Sequence, residues 1–358
     1  MRLILGGDEM MHSKKTIAIP PGATIKEQLE TRGMKQKEFA IRMDLSEKHV
    51  SRLINGQVEL TKPVAIRLEA VLGLPANFWN SLESNYREKL ARVIDENELE
   101  KDAQIAKLFP YAKVAKLGWV PETRKAEEKA IHLRRFFEVA KLELLELLKT
   151  PGIAYRKVGS NGTADYSLAI WAQKAKVDAR NYELSPINIS KLEEVIPTIR
   201  EMTLMEPNEF CKELIQILSK CGIALVFLPH IGGSFLHGAS FYDGKHIVLG
   251  LTVRGKTADK FWFSLFHELY HILSGHINNP EGTNDIDEQE ADSYSKNVLI
   301  PKERFDEFRR NECYSRECII QFSNDVNISS GIILGRLQKE NYVPYNRYND
   351  LKENYVIS

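Results

Sequence analysis

Two histidines and a glutamate in the C-terminal half form the most chemically specific pattern of this chain. His267, Glu268 and His271 spell HExxH within residues 261–275, a stretch that is otherwise mostly apolar and aromatic. Histidines four residues apart lie on one face of a helix, so both imidazoles can bind one metal ion while the carboxylate between them acts on a bound water. An amphipathic helix can carry this pattern by chance, so a zinc site requires a third ligand.

The residues after the motif exclude one subclass of zinc site. A metzincin would place glycine at position 274 and histidine at position 277, where this chain has Ser274 and Ile277. His276 is one position out of step, and we expect it to be a loop or helix-end residue. His237 and His246 lie near predicted strands, where a lone histidine is more often solvated or hydrogen-bonded than a metal ligand.

A glutamate on a following helix is the remaining choice for the third ligand. After the polar loop 278–285, Glu288 falls on the same helical edge as Asp292, since helical residues advance by about 100° each, whereas Glu290 points away. We therefore predict Glu288 as ligand, with Glu290 as the alternative, and Asp292 as the acceptor of the second ring proton of a ligating histidine. The predicted zinc ligands are His267, His271 and Glu288.

This ligand set predicts hydrolysis of peptide bonds with Zn²⁺ as cofactor. Glu268 would take a proton from the attacking water and return it to the leaving amine. The sequence identifies no group that stabilises the oxyanion. Tyr270, inside the motif, is bulky, and we expect it to narrow the cleft.

A second pattern, near the N-terminus, predicts binding to double-stranded DNA. Residues 24–31, 36–43 and 46–54 have helical spacing of apolar positions, and Ser46 is a good N-cap for the third segment. Two short helices with a tight link form a helix-turn-helix, although spacing alone fits a generic helical bundle equally well. Side-chain types that contact bases and phosphates decide between them. The predicted DNA-binding residues are Gln36, Ser46, Lys48, His49, Arg52 and Asn55.

Length and composition set the frame for both sites. The chain has 358 residues, which favours two or three domains, and it carries 49 basic and 49 acidic side chains, so any DNA contact must be local. Four cysteines have neither zinc-knuckle nor secreted-framework spacing, so we expect mostly reduced thiols. With no signal peptide and no long apolar span, we expect a cytoplasmic protein without membrane contact.

The predicted fold class is a multidomain α+β protein. Short strand-like runs at 222–228, 238–242 and 246–251, with an Asp-Gly turn signal between the last two, predict a small, mainly antiparallel sheet beside the HExxH helix. The predicted domains are an N-terminal segment 1–21, an all-α helix-turn-helix domain 22–95, a helical middle region 96–205, a zincin-like metallopeptidase domain 206–312 and a C-terminal segment 313–358.

The N-terminal pattern resembles a known family of repressors. Residues 34–40 and 46–56 resemble the helix-turn-helix of the Xre family, and residues 74–86 are similar to its HigA-type antitoxin branch. The resemblance implies that Gln36 and Asn55 hold phosphate, while Lys48 and Arg52 face the major groove. Glu47 occupies another groove-facing position, which opposes strong nonspecific affinity. Balanced charge in this domain predicts that tight binding requires a homodimer on a two-part operator.

The C-terminal pattern resembles the ImmA/IrrE family of zinc metallopeptidases. Residues 266–271 and 288–301 carry the resemblance, and residues 328–338 and 343–352 are similar to the tail of fused HigA-type proteins. The resemblance implies a zinc-dependent endopeptidase that cleaves a regulatory protein, such as a repressor or a toxin–antitoxin partner. The alternative is an antitoxin or repressor whose zinc module is a sensor or scaffold without peptidase activity.

Overall fold

A computed structural model describes residues 2–5, 8–148, 163–231, 238–252, 257–279 and 282–355 of the protein. The chain forms two compact units, residues 1–104 and 105–358. The first unit contains β1 (Arg2–Leu5), β2 (Asp8–His12), β3 (Ile17–Ala18), α1 (Gly22–Thr31), α2 (Gln36–Arg42), α3 (Glu47–Ile54), α4 (Lys62–Leu72) and α5 (Ala76–Ile105), which ends at the unit boundary.

The helix-turn-helix of the first unit follows from its local sequence. Asp44, between α2 and α3, adopts a positive φ of 51°, which an aspartate tolerates in a tight turn. Ser46 then caps α3, since its hydroxyl accepts a hydrogen bond from the backbone N–H of His49 at 3.1 Å, and its prediction as an N-cap is confirmed. Buried apolar side chains of α1 to α5 form one core. They include Ile25, Phe39, Val50, Leu53, Leu68 and Trp79.

The second unit is mostly helical around a small sheet. Its helices before the sheet are α6 (Tyr111–Lys116), α7 (Ala126–Phe137), α8 (Thr163–Ala179), α9 (Ile189–Glu201) and α10 (Pro207–Ser219). Its strands are β4 (Ile223–Leu228), β5 (Gly238–Asp243) and β6 (His246–Thr252). Its later helices are α11 (Ala258–Leu273), α12 (Asp285–Leu299), α13 (Lys302–Arg310), α14 (Arg316–Asp325) and α15 (Ser330–Lys339). Short 3₁₀ turns are Ala106–Leu108, Leu142–Glu146, Met202–Leu204, His276–Asn278 and Asn349–Leu351.

The sheet of the second unit has the strand order β4-β6-β5. β5 and β6 form the expected antiparallel hairpin, with Gly244 at a φ of 61° in the turn. β4 pairs with the other edge of β6 in parallel, from Ile223 opposite Ile247 to Leu228 opposite Thr252. The prediction of a mainly antiparallel sheet is therefore wrong for this pair. Apolar runs reveal strands but not their partners, and β6 is buried because it lies between the other two.

Helix α11 occupies the centre of the second unit. Trp262 and Phe266 are fully buried in the core formed by the sheet and the surrounding helices. α12 and α15 pack against α11, and α11 also contacts β5. Because α15 belongs to the last part of the chain, the C-terminal segment is part of this core. Gly335 allows the contact, since a Cβ there would lie 2.2 Å from the Asp259 carboxylate on α11.

Two arginines hold the C-terminal end of α12. Arg200 donates from Nε to the carbonyl oxygens of Val298 and Leu299, at 2.9 and 3.2 Å. Arg336 donates from Nη1 to the carbonyl oxygens of Lys296 and Ile300, at 3.1 Å each. The carbonyl of Lys296 also accepts from the N–H of Ile300, whereas the last carbonyls of a helix otherwise lack a donor within the helix. The arginines supply such donors and fix the end of α12.

Two further predictions concern the whole chain. Cys313, which precedes α14, forms a disulfide with Cys318 in the first turn of α14, so the expectation of reduced thiols is wrong for this pair, while Cys211 and Cys221 are free. The two cysteines are five residues apart in the sequence. Among the described residues, no helix combines the length and the apolar character that crossing a bilayer requires.

Candidate metal centre and nucleic-acid interface

Helices α11 and α12 bring together the three residues predicted as metal ligands. Nε2 of His267 lies 3.1 Å from Nε2 of His271 and 3.1 Å from Oε2 of Glu288. Nε2 of His271 lies 3.5 Å from Oε1 of Glu288. Among the described residues, these three form the group of histidine, cysteine and acidic side chains able to hold a metal ion.

The spacing of these atoms fits a tetrahedral zinc site. With zinc–ligand bonds of about 2.0 Å and tetrahedral angles, neighbouring ligand atoms lie about 3.3 Å apart. The observed separations of 3.1, 3.1 and 3.5 Å enclose this value. Two imidazoles and one carboxylate leave the fourth position of such a site open, which is the arrangement of catalytic zinc sites.

The start of α12 sets the position of Glu288. Asn284 caps the helix by accepting from the backbone N–H groups of Ile286 and Asp287, and the Asp287 carboxylate accepts from the Asn284 N–H. Thr283 donates its hydroxyl proton to Glu288 Oε1 at 2.5 Å. The hydrogen bond from His267, aided by that of Thr283, lowers the pKa of Glu288 to about 2. The carboxylate is thus ionised at neutral pH.

Asp292 orients His267 from the side away from the other ligands. Its Oδ1 lies 3.1 Å from His267 Nδ1, one helical turn after Glu288. Burial lowers the pKa of His267, but its hydrogen bond to Glu288 and the charges of Glu268, Glu288 and Asp292 outweigh this effect, so the pKa is raised. With Nδ1–H donating to Asp292, Nε2 is free to bind a metal ion.

His276 performs the equivalent contact for the second histidine. Nδ1 of His276 lies 3.0 Å from Nδ1 of His271, and Nε2 of His276 lies 3.7 Å from Asp287. The positive φ of 71° at Gly275 turns the chain back so that His276 reaches α11. His276 lies at the helix end as expected, but it also contacts His271. Burial and the charge of His267 lower the pKa of His271 to about 4, so it is neutral at neutral pH.

Glu268 lies between α11 and the edge strand β5. Its Oε2 accepts a hydrogen bond from the Ser240 hydroxyl at 2.9 Å, and both residues are buried. Burial raises the pKa of Glu268 to about 7, although His267 and Ser240 act against it. A carboxyl group with a pKa near neutrality can both accept and donate a proton at physiological pH. Gly238 permits the close approach of β5, because a Cβ there would lie 2.8 Å from Glu268 Cγ.

These groups open into one large cleft. The cavity has a volume of about 990 Å³ and is lined by residues of β5, α11, α12 and α15. Gly238, Ala239 and Ser240 of β5 form one side of it. β5 pairs only with β6 among the described strands, so its other edge is available for a further strand.

Tyr270 and Glu290 lie outside this cleft. The Tyr270 ring packs on Tyr294 with centroids 4.8 Å apart, and its hydroxyl donates to Glu290 at 3.3 Å. Neither Tyr270 nor Glu290 lines the cavity. The expectation that Tyr270 narrows the cleft is therefore wrong, because position 270 lies between the two ligand positions and faces α12. His246 is likewise outside the ligand group, and His237 is outside the described residues.

Five of the six predicted DNA-contacting residues form two groups. Lys48 and Arg52 are exposed one turn apart on α3, and Ser46 is exposed at its start. Gln36 and Asn55 line one surface depression of about 370 Å³.

His49 departs from the prediction. It is only partly exposed, and its Nε2 is buried with no hydrogen-bond partner among the described residues. The prediction that the His49 side chain projects outward is therefore wrong for its Nε2 atom. The reason is helical geometry, since residue 49 lies at the edge of the face that buries Val50 and Leu53.

Several residues of the site were not predicted from sequence. Ser240, Thr283 and His276 contact Glu268, Glu288 and His271, respectively. His276 follows His271 by five residues in the sequence, and this short separation was the available signal for their contact. Ser240 had none, because its contact depends on how β5 pairs within the sheet.

Comparisons with known proteins concern the first unit. The helix-turn-helix family profile matches residues 25–79. The uncharacterized HTH-type transcriptional regulator YddM of Escherichia coli (strain K12) is 34% identical over 64 residues, which cover 18% of this chain and 68% of that protein. These matches agree with the capped α3, its exposed basic residues and the tight turn at Asp44. The chain therefore belongs to the family of helix-turn-helix transcriptional regulators.

Proposed function

We propose that this transcriptional regulator carries a zinc-dependent endopeptidase site in its second unit. The observation that carries the proposal is the joint placement of three ligand atoms 3.1 to 3.5 Å apart and a buried glutamate beneath an edge strand. The resemblance of residues 266–271 and 288–301 to ImmA/IrrE metallopeptidases supports it. The substrate class is a regulatory protein, such as a repressor or a toxin–antitoxin partner.

Zinc would be held by His267, His271 and Glu288, with Asp292 and His276 fixing the two imidazoles. When bound, it supplies a Lewis acid that activates water and polarises a carbonyl group. Glu268 accepts the proton of the attacking water as general base and donates it to the leaving amine, so the proton balance closes within one turnover.

The edge of β5 provides a means of holding the substrate. An extended peptide can add to a free strand edge through backbone hydrogen bonds, which do not depend on its side chains. Ala239 and Ser240 line the cleft on this edge, and Ser240 also contacts Glu268. A peptide paired there lies alongside the general base, and side-chain pockets in the cleft then set specificity.

Two substitutions test this proposal in cells and in the purified chain. Glu268→Gln should retain zinc and abolish cleavage, whereas His267→Ala should lose zinc, as measured by elemental analysis. Mass spectrometry of cells that carry wild type or Glu268→Gln identifies protein fragments that depend on Glu268. Fragments that persist unchanged with Glu268→Gln would refute the catalytic role.

A second candidate is a regulator whose zinc site acts as a sensor or scaffold without peptidase activity. It is favoured by the hydrogen bond from the Ser240 hydroxyl, which occupies one oxygen of the Glu268 carboxylate. Zinc bound stoichiometrically by wild type, with no Glu268-dependent fragment in cells, would support this candidate. The antitoxin role belongs to this second candidate, because zinc binding would then act by changing the affinity of the protein for DNA.

For the DNA-binding unit, we propose that a homodimer binds a two-part operator. Lys48 and Arg52 contact bases in the major groove, and Gln36 and Asn55 bind the phosphate backbone. Lys48→Ala and Arg52→Ala should each weaken operator binding by about 1–3 kcal/mol if they contact bases. Gel shifts with fragments upstream of the gene at several salt concentrations measure this, with Lys302→Ala as the matched control. Equal affinity of wild type for every fragment would refute operator recognition.

A further inference from the structure

One end of the cleft is lined by basic side chains. The metal-ligand group lies further along α11 and α12, where His271 and Glu288 face each other. Five cations contribute to the cavity wall. They are Lys260, Lys296, Arg336, Lys339 and Lys352.

Three of these cations have carboxylate partners. Lys352 Nζ lies 2.9 Å from Asp259, in a pair that is largely buried. Arg336 Nε lies 3.0 Å from Glu340.

Lys339 is the third, and its Nζ lies 3.9 Å from Asp292 Oδ2 and 4.6 Å above the Phe263 ring. Local carboxylates therefore offset these three charges.

Lys260 and Lys296 have no ion-pair partner within the part of the chain that the structure describes. Their positions follow from the antiparallel packing of α11 and α12, in which His267 faces Asp292. Lys296 lies one helical turn beyond Asp292, and Lys260 lies about two turns before His267. At about 1.5 Å per residue, the backbone of Lys260 lies about 10 Å from that of His267 along α11, and the backbone of Lys296 lies about 12 Å from that of Glu288 along α12.

We propose that Lys260 and Lys296 form a subsite for a substrate carboxylate. This inference rests on the proposed peptidase function. An extended peptide advances about 3.3 Å per residue, so a peptide on the β5 edge would place the carboxylate about three or four residues from the scissile bond. A carboxylate supplies the countercharge that these two lysines lack. The carboxylate belongs either to an aspartate or glutamate side chain or to a peptide C-terminus.

A peptide-library experiment tests this subsite. Randomised ten-residue peptides, with free or amidated C-termini, are incubated with the zinc-loaded full chain, and the fragments are sequenced by mass spectrometry. We expect enrichment of Asp and Glu at a fixed position about three or four residues from the cut. Lys260→Glu and Lys296→Glu should each lower kcat/KM for an acidic peptide about fivefold, the size expected for a partly exposed ion pair. Lys302→Glu, on exposed α13 and outside the cavity, is the matched control.

The outcomes separate this inference from the proposed function. Cleavage without any acidic preference, or equal effects of Lys302→Glu and Lys260→Glu, overturns the subsite and leaves the peptidase intact. Preference confined to free C-termini supports the subsite and assigns the carboxylate to the chain end. If no peptide is cleaved, the binding of the same acidic and neutral peptides is measured by fluorescence anisotropy. Selective binding of acidic peptides then supports the subsite and refutes the peptidase function. Equal binding of acidic and neutral peptides overturns both.

Discussion

The identity of the proposed third ligand provides the sharpest test of the proposed metal site, because the chain contains a matched control. Glu288 and Glu290 lie two residues apart on the same helix, and both are glutamates. The Glu288 oxygens lie 3.1 and 3.5 Å from the two imidazole nitrogens, whereas Glu290 accepts from the Tyr270 hydroxyl. We therefore expect Glu288→Gln to weaken zinc binding and Glu290→Gln to leave it unchanged.

The size of the effect follows from the number of ligands. Zinc sites with four protein ligands have apparent binding free energies of about 10–16 kcal/mol, or about 3 kcal/mol per ligand. Loss of Glu288 should therefore raise the zinc Kd by about 100- to 1,000-fold. The Glu288 side chain also accepts from Thr283, and Thr283→Val should have a smaller effect, about tenfold, because it only orients the ligand.

Competition with a chromophoric chelator at constant pH measures these affinities, and circular dichroism verifies that each variant is folded. Wild-type affinity in folded Glu288→Gln would refute the assignment of the third ligand. Equal losses in the Glu288 and Glu290 variants would show that the charge of the helix start, and not coordination, attracts the ion. Loss with Glu290→Gln alone would identify the alternative ligand.

Three further predictions follow from the same region. Zinc binding requires neutral His267, whose pKa is raised, so the zinc affinity should fall about tenfold per pH unit below that pKa. His271, with a pKa of about 4, contributes no pH dependence near neutrality. Chelator titrations at several pH values measure the slope, and a flat profile contradicts the prediction. His276→Phe removes the acceptor for His271 Nδ1 and should weaken zinc binding about 10- to 100-fold, whereas an unchanged Kd would exclude this role. Arg200→Met should destabilise the metal-free second unit by about 2–4 kcal/mol, because several carbonyls lose their charged donor. Calorimetry detects this as a fall in Tm of about 6–12 °C. The matched control is Arg310→Met at an exposed position, and equal Tm shifts in both variants contradict the prediction.

Helical periodicity explains what the sequence could predict. The 100° step placed Glu288 and Asp292 on one edge of α12, and the structure has both carboxylates against His267. Ser46 was recognisable as an N-cap because its type and position relative to apolar residues define the start of α3. These relations depend on residues within about two helical turns of one another, and local patterns encode them.

Contacts between distant segments explain what could not be predicted. Ser240 reaches Glu268 because β5 is the outer strand of the sheet, and the sequence does not specify which edge of β6 each neighbour occupies. Tyr270 was expected to face the cleft, but its direction depends on the packing of α11 against Tyr294. The basic end of the cleft combines α11, α12 and α15, whose juxtaposition exists only in the fold.

The arginine contacts at the end of α12 have a consequence for protein engineering. A fragment cut after residue 312 would keep every predicted metal ligand but lose Arg336, which donates to the carbonyls of Lys296 and Ile300. It would also lose α15, which packs against α11. The part of the chain that carries the proposed metal site is therefore not an independent module. Moving it into another protein requires residues 313–358 as well, and a shorter fragment would give a false value for any metal affinity.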